Sequence, residues 1–224
     1  NGWAGIHQAA AIVFFAYIGF DAISTAAEET TNPQRNMPIG ILGGLAVCTL
    51  IYVVVGVVAT GLVPYQQLRA SDPLAQALQL AGMQTAGWFV SLGAVISLSA
   101  VLLVFQYGQP RIFFSMARDG LLPAWASKIH PRFRTPHVTT VVTGLFVAAG
   151  ALFLDENEIY DLTNIGTLAA FAIVCIGVLA LRYLEPDRPR PFRVRWLPAV
   201  SLLGAASCVY VMAGLPAQAW VRFG

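Results

Sequence analysis

Between residues 14 and 22 the chain reads Phe-Phe-Ala-Tyr-Ile-Gly-Phe-Asp-Ala, with one carboxylate, Asp21, two residues after a glycine in an otherwise apolar stretch. An ionised carboxylate in hydrocarbon costs at least about 3 kcal/mol on insertion scales, so Asp21 must be partnered, solvated or protonated. Gly19 admits two readings: it breaks the helix about half way across, or it packs against a neighbour in an unbroken one. A break leaves carbonyls free near Phe15, Ala16 and Ile18 and N–H groups free where the second half begins. The carbonyl end is partly negative and suits an ammonium group, whereas the N–H end suits a carboxylate. Asp21 is then part of the architecture of a binding site or a carrier of protons, since desolvation favours the neutral form of a carboxylic acid. Glu28 lies seven residues beyond Asp21, on nearly the same helix face, with Glu29 beside it. These two are either solvated caps at a helix end or members of an inner gate ion pair.

The elements that must hold these residues are apolar blocks long enough to cross a hydrocarbon core of about 30 Å. Six are expected, at about 6–27, 38–61, 86–107, 138–154, 159–181 and 197–215, within a single transmembrane region over 1–224. Pro33 and Pro38, with Asn32 and Asn36, end the first block and place Pro38 in the first turn of the second. Gly40, Gly43 and Gly44 give that block a packing face. The polar connection over 63–84 contains Leu74, Leu78 and Leu80, a pattern that predicts a short amphipathic helix at the interface, placed to act as an external lid. The third block is expected to continue as a polar helix from Arg111 to Arg118.

Composition supports the same class. Of 224 residues, 57% are hydrophobic and 11% charged, against roughly 25% charged in soluble domains, so no soluble domain is expected. Basic residues cluster at alternate block ends: Arg35; then Arg111, Arg118, Lys128, Arg132 and Arg134; then Arg182, Arg188, Arg190, Arg193 and Arg195. Only Arg69 and Arg222 lie on the other side, so the basic side is cytoplasmic and the acidic turn at 155–158 is external. The first block enters from outside. The chain opens Asn1-Gly2-Trp3 and is expected to be a fragment of a longer protein. Nucleic acid is not an expected partner; the lipid bilayer is.

Other candidates carry less. Cys48, Cys175 and Cys208 stand alone in separate blocks and read as apolar filler, with no metal site and no cofactor expected. His7, His130 and His137 read as surface residues, and Trp3, Trp88 and Trp196 fit an aromatic belt. Ser97 and Ser99 either line a pathway or hydrogen-bond within and between helices. A channel would carry repeated polar or charged rings. An intramembrane enzyme would need a nucleophile with a base, or metal ligands, at depth. Neither pattern is present, and the expected function is transport rather than catalysis.

Residues 14–29 and the following Asn32-Pro33-Gln34-Arg35-Asn36-Met37-Pro38-Ile39-Gly40 closely resemble the sixth helix and next loop of the cationic amino acid transporter family, in the amino acid-polyamine-organocation (APC) superfamily. Ser115-Met116-Ala117-Arg118-Asp119-Gly120-Leu121-Leu122-Pro123 with Thr135-Pro136 resembles the family's loop between helices eight and nine. Arg190-Pro191-Phe192-Arg193-Val194 before Trp196-Leu197-Pro198 resembles the entry to helix eleven, with Arg195 in place of the usual proline. The resemblance implies an all-α polytopic membrane protein of LeuT/APC type, incomplete here: the second inverted repeat plus one further helix. Helices one to five would be missing partners, among them the glycine-rich break of helix one that holds the substrate carboxylate, and helix twelve would be absent too. It also implies an amino-acid substrate bound by the backbone of Phe15, Ala16, Ile18 and Gly19, with Phe15 as an aromatic gate, Asp21 at the acidic position of helix six, and protons as the coupled ion. The expected setting is a cell membrane, that of a bacterial inner membrane. An amino-acid exchanger and a permease-like sensor that does not transport remain alternatives.

Overall fold

The computed structural model describes residues 2–64, 66, 68, 72–153, 155–187, 189–190 and 192–223; the side chains at 26, 28, 29, 156 and 157 are not described. Regular structure among the described residues is helical throughout, without a strand. The α-helices are α1 (Gly2–Val13), α2 (Pro33–Leu62), α3 (Pro73–Leu80), α4 (Gln84–Arg118), α5 (His137–Phe153), α6 (Glu156–Leu184), α7 (Leu197–Met212) and α8 (Ala217–Phe223). Short 3₁₀ segments occupy Phe14–Tyr17, Asp21–Glu29 and Ala124–Ser127.

Two compact units divide the chain: one made of residues 1–18 and 147–224, the other of 19–146. In the first, α6 packs on α7 and α8, and α1 lies against α6 and α7. Ala11, Ile165, Leu168, Met212, Leu215 and Ala219 form its core, with Phe14 and Cys208 packed on the edge. Small residues bring the backbones together, because between helices in lipid it is packing rather than water exclusion that attracts. A Cβ on Gly204 of α7 would lie 2.9 Å from Cys175 Sγ of α6, and one on Gly214 would lie 3.0 Å from the His7 carbonyl. His7 is engaged rather than an idle surface residue: its ring stacks on Tyr210 at 4.2 Å and its Nε2 meets the Tyr210 carbonyl at 2.5 Å. The block expected at 197–215 is helical only to Met212. There the chain bends by 112° into α8, whose start follows Pro216. Proline cannot continue the ladder of α7, and Gly214 at the bend fits a space that admits no side chain. Arg222 at the far end of α8 pairs with Glu158 at the start of α6, so both lie at one end of this unit.

In the second unit the 3₁₀ segment Asp21–Glu29 packs on α2 and α4, and α3 packs on α4. α2 begins at Pro33 rather than Pro38. Asn32 adopts the left-handed conformation (φ 49°), the Asn36 side-chain amide donates to the Thr31 carbonyl at 2.6 Å, and Pro33 takes a first-turn position where its missing N–H costs nothing. Pro38 therefore lies inside the helix. α3 is fixed to the start of α4: Ala75 and Ala77 are buried, and a Cβ on Gly87 would lie 3.1 Å from the Ala75 carbonyl. α4 has 35 residues, about 52 Å at 1.5 Å each, so it outruns the hydrocarbon. It stops at Gly120 (φ 81°), where the Leu121 N–H returns to the Met116 carbonyl at 2.9 Å, a closure that needs the left-handed residue glycine supplies.

Apolar side chains cover the outside of the helices: Leu50 is 66% exposed, Leu103 72% and Ile173 69%. Among the described residues four helical stretches, Gly2–Thr25, Pro33–Leu62, Gln84–Arg118 and Glu158–Leu184, are long and apolar enough to cross a membrane, and the bent pair α7 and α8 makes a fifth if taken as one span. α5, at 17 residues, is apolar but shorter. The packing at Gly214 can be tested against a glycine in open space. Gly214→Ala is expected to lower thermal stability in detergent, by about 1–3 kcal/mol as overpacking does, while Gly177→Ala, whose Cβ would meet nothing within 4 Å, leaves it unchanged. Equal melting temperatures for the two variants would refute this account of the bend.

Candidate functional site

The first apolar block is broken. α1 ends at Val13, Phe14–Tyr17 tightens to a 3₁₀ turn, and Ile18 turns to an extended conformation (φ −63°, ψ 129°). Gly19 follows at φ 126°. Such a conformation is nearly closed to side-chain-bearing residues, so the break rests on this glycine, and the reading in which Gly19 packs within an unbroken helix does not hold. Helical turns resume at Asp21.

The polar groups at the break are partly satisfied from within. The Ile18 N–H donates to the Phe15 carbonyl at 3.2 Å, so that carbonyl is not free as the sequence suggested, although its second lone pair can accept again. At the start of the second half, the Gly19 N–H donates to Asp21 Oδ1 at 3.1 Å and the Ala22 N–H to the Gly19 carbonyl at 3.1 Å. The expected carboxylate-binding N–H end is thus already occupied by a carboxylate, that of Asp21. This bond ties the Asp21 carboxyl group to the backbone two residues back and holds the turn. Ser24 and Thr25 hydroxyls return to the carbonyls of Asp21 and Ala22, spending their donors inside the segment.

Phe15, Ala16 and Ile18 belong to the first unit, and Gly19 and Asp21 begin the second. Glu28 and Glu29 have side chains outside the described residues, as noted. Ser99 donates to the Val95 carbonyl at 2.9 Å within its own helix.

Around Phe15 the structure adds residues that the sequence did not single out. Its ring, 39% exposed, meets Tyr160 of α6 edge-on at 4.7 Å, and Phe14 meets Phe171 edge-on at 6.3 Å. One turn beyond Tyr160 lies Asn164, 1% exposed, whose Oδ1 has no hydrogen-bond partner among the described residues. Leaving a buried amide oxygen unpaired costs about 1–3 kcal/mol. The available signal was an amide one helical turn after Tyr160, at the start of an apolar run.

The second unit contains a cavity of about 920 Å³ beside the segment after the break, lined among others by Thr25, Gln106, Arg111, Arg134, His137 and Thr140. Gln106 Nε2 donates to the Thr140 carbonyl at 2.8 Å and to Thr143 Oγ1 at 3.2 Å, joining α4 to α5. The Arg111 guanidinium lies 3.2 Å from the centre of the Tyr107 ring and donates to the Tyr107 carbonyl. The cavity's wall is mainly apolar, and Arg111, Arg118 and Arg134, with Asp119, supply its charged groups.

An all-α chain whose helices are clad in apolar side chains, several of them long enough to cross a membrane, is a multi-pass membrane protein. A family model described as amino acid permease matches residues 1–220, and the chain belongs to that family, within the APC superfamily. It is 44% identical over 222 residues to a methylthioribose transporter of Bacillus subtilis (strain 168), an alignment covering 99% of this chain and 48% of that protein. It is 42% identical over 223 residues to the branched-chain amino acid permease BcaP of the same organism, covering 99% and 48%. A third relative, the vacuolar cationic amino acid transporter 4 of Arabidopsis thaliana, is 45% identical over 186 residues, covering 83% of this chain and 31% of that protein. The chain spans about half the length of the bacterial relatives it matches. All three are named as transporters or permeases.

Because the break rests on one residue, Gly19→Ala is expected to destabilise the folded protein by about 1–3 kcal/mol, although its Cβ would meet nothing closer than Phe105 Cζ at 3.8 Å. Thermal unfolding in detergent measures this; an unchanged midpoint would mean that the positive φ is not required.

Proposed function

We propose that these helices form part of a secondary transporter that takes up amino acids by alternating access, coupled to protons, across a cell membrane. The observation that carries this reading is the break at Ile18–Gly19 inside an apolar span of an amino acid permease. The carbonyl end formed by Phe15, Ala16 and Ile18 receives the ammonium group, and Gly19 gives the backbone the turn that exposes it. Phe15, braced by Tyr160, forms an aromatic wall. With Asp21 occupying the Gly19 N–H, the substrate carboxylate finds its donors outside these residues, in the partner helices one to five of a LeuT-type inverted repeat.

Asp21 couples protons through the geometry of the break. Protonation converts a charge-assisted bond to Gly19 N–H into a weaker neutral one, which loosens the turn and shifts the balance between outward and inward states. The cavity beside Thr25 serves as the cytoplasmic vestibule, with Glu28 and Glu29 at its inner gate.

A second cargo class has one observation in its favour, the relative named as a methylthioribose transporter. A neutral thiosugar brings hydroxyl donors to the same carbonyl end.

The test is uptake by the full-length protein in liposomes under an inward proton gradient, with a labelled panel of amino acids and methylthioribose, for wild type and Asp21→Asn. Wild type is expected to accumulate an amino acid, and Asp21→Asn to keep binding while losing at least tenfold of the gradient-driven rate. Accumulation only against a second internal amino acid would make the protein an exchanger, binding without flux a sensor, and uptake of the thiosugar alone would replace the substrate class. Full uptake by Asp21→Asn would remove Asp21 from coupling.

A further inference from the structure

We propose that His130 is a proton-operated latch: its uncharged ring holds the turn 130–134 closed, and a protonated ring releases it, so that the loop between α4 and α5 opens on acidification. The latch stands apart from the transport reading and does not depend on the cargo. The backbone N–H groups of Arg132 and Phe133 both donate to His130 Nδ1, each at 3.2 Å. A backbone N–H can only donate, so Nδ1 must present its lone pair, and the ring that fits this turn is neutral with its proton on Nε2. An imidazolium carries N–H at both nitrogens. Protonation therefore removes two hydrogen bonds at once and sets a third N–H against the two that were bound.

The rest of the turn leans on those bonds. The His130 N–H donates to the Thr135 carbonyl and the Arg134 N–H to the His130 carbonyl, both at 2.9 Å, closing the neck of the loop. Within it Arg134 is left-handed (φ 52°), a conformation that residues with a Cβ avoid, so the turn persists only while its bonds hold it. The surrounding charges act in the same direction. The His137 ring at the start of α5 meets His130 edge-on at 5.1 Å, and Lys128, Arg132 and Arg134 flank His130 in the loop. The end of α4 brings Arg118 and Asp119 to the cavity that Ile129, Arg134 and His137 also line, and the segment after the break lines it with the uncharged Ser24, Thr25 and Ala27. Asp119 is paired with Arg118 at 3.9 Å. A cation on His130 thus arises among basic groups and beside a second titratable ring, which repel it. Histidine changes charge between pH 5 and 8, so the closed turn belongs to the upper end of that range and is lost towards the lower. Thr139 and Thr140 both donate their hydroxyls to the Pro136 carbonyl at 2.9 Å, which keeps α5 anchored and confines the release to residues before it. Arg134 and Thr135 belong both to the turn and to the cavity wall, so releasing the turn changes that wall.

The experiment is amide hydrogen exchange over residues 130–135 of the full-length protein in detergent, at pH 8 and pH 5, with each rate divided by its intrinsic value at that pH. Wild type is compared with His130→Ala, which removes the acceptor, with His130→Asn, whose side-chain oxygen accepts from the N–H two residues on without titrating, and with His137→Asn. Protection in wild type is expected to fall at least fivefold from pH 8 to pH 5. His130→Ala is expected to lack that protection at both pH values, His130→Asn to keep it within twofold at both, and His137→Asn to respond as wild type does. Wild-type protection that stays level between the two pH values overturns the latch, as does full protection of His130→Ala at pH 8. A pH response that survives in His130→Asn and disappears in His137→Asn places the sensing group on α5 and overturns it as well.

Discussion

In hydrocarbon there is no water to pair with an exposed amide, so a spanning chain must satisfy its own backbone groups, and an interruption survives only where something else satisfies them. The interruption at Ile18–Gly19 is arranged around that constraint. Asp21 caps the Gly19 N–H, Ile18 closes back on Phe15, and Ser24 and Thr25 return their hydroxyls to the turn that follows. These four donors are thereby paired within the break, and the Phe15 carbonyl keeps a second lone pair. The flanking packing follows from the same need, since Phe14 and Phe15 are held edge-on by Phe171 and Tyr160 and so fix the segment whose carbonyls matter.

Much of this was legible in the sequence because membrane solvation leaves large signals. Uninterrupted apolar blocks and the alternation of arginine clusters are visible without structure, and so were Gly19 and Asp21, each anomalous in its surroundings. What stayed hidden was pairing. Nothing in the spacing of Gly19 and Asp21 distinguishes a carboxylate awaiting a proton from one that caps an amide two residues back. The start of α2 was misplaced because both Pro33 and Pro38 suit a first turn, and only the left-handed Asn32 decides between them. The end of α7 was misplaced because Ala213-Gly214-Leu215 is as apolar as the helix before it, and the bend depends on how closely Gly214 approaches α1. Asn164 was invisible for a related reason: an amide in a span is costly only when buried without a partner, and burial is a property of packing.

The proposed carbonyl end of the break also bears on how one family could hold such different cargoes. Among the relatives, one is named for methylthioribose, one for branched-chain amino acids and one for cationic amino acids, over the same stretch of chain. A site whose fixed backbone offers acceptors makes one demand, that the ligand bring donors, and an ammonium group and a cluster of sugar hydroxyls both meet it. Backbone geometry therefore sets a chemical class no narrower than this. Finer choice has to come from side chains with capacity to spare, because a buried acceptor left unpaired by the wrong ligand penalises that ligand more than a surplus contact rewards the right one.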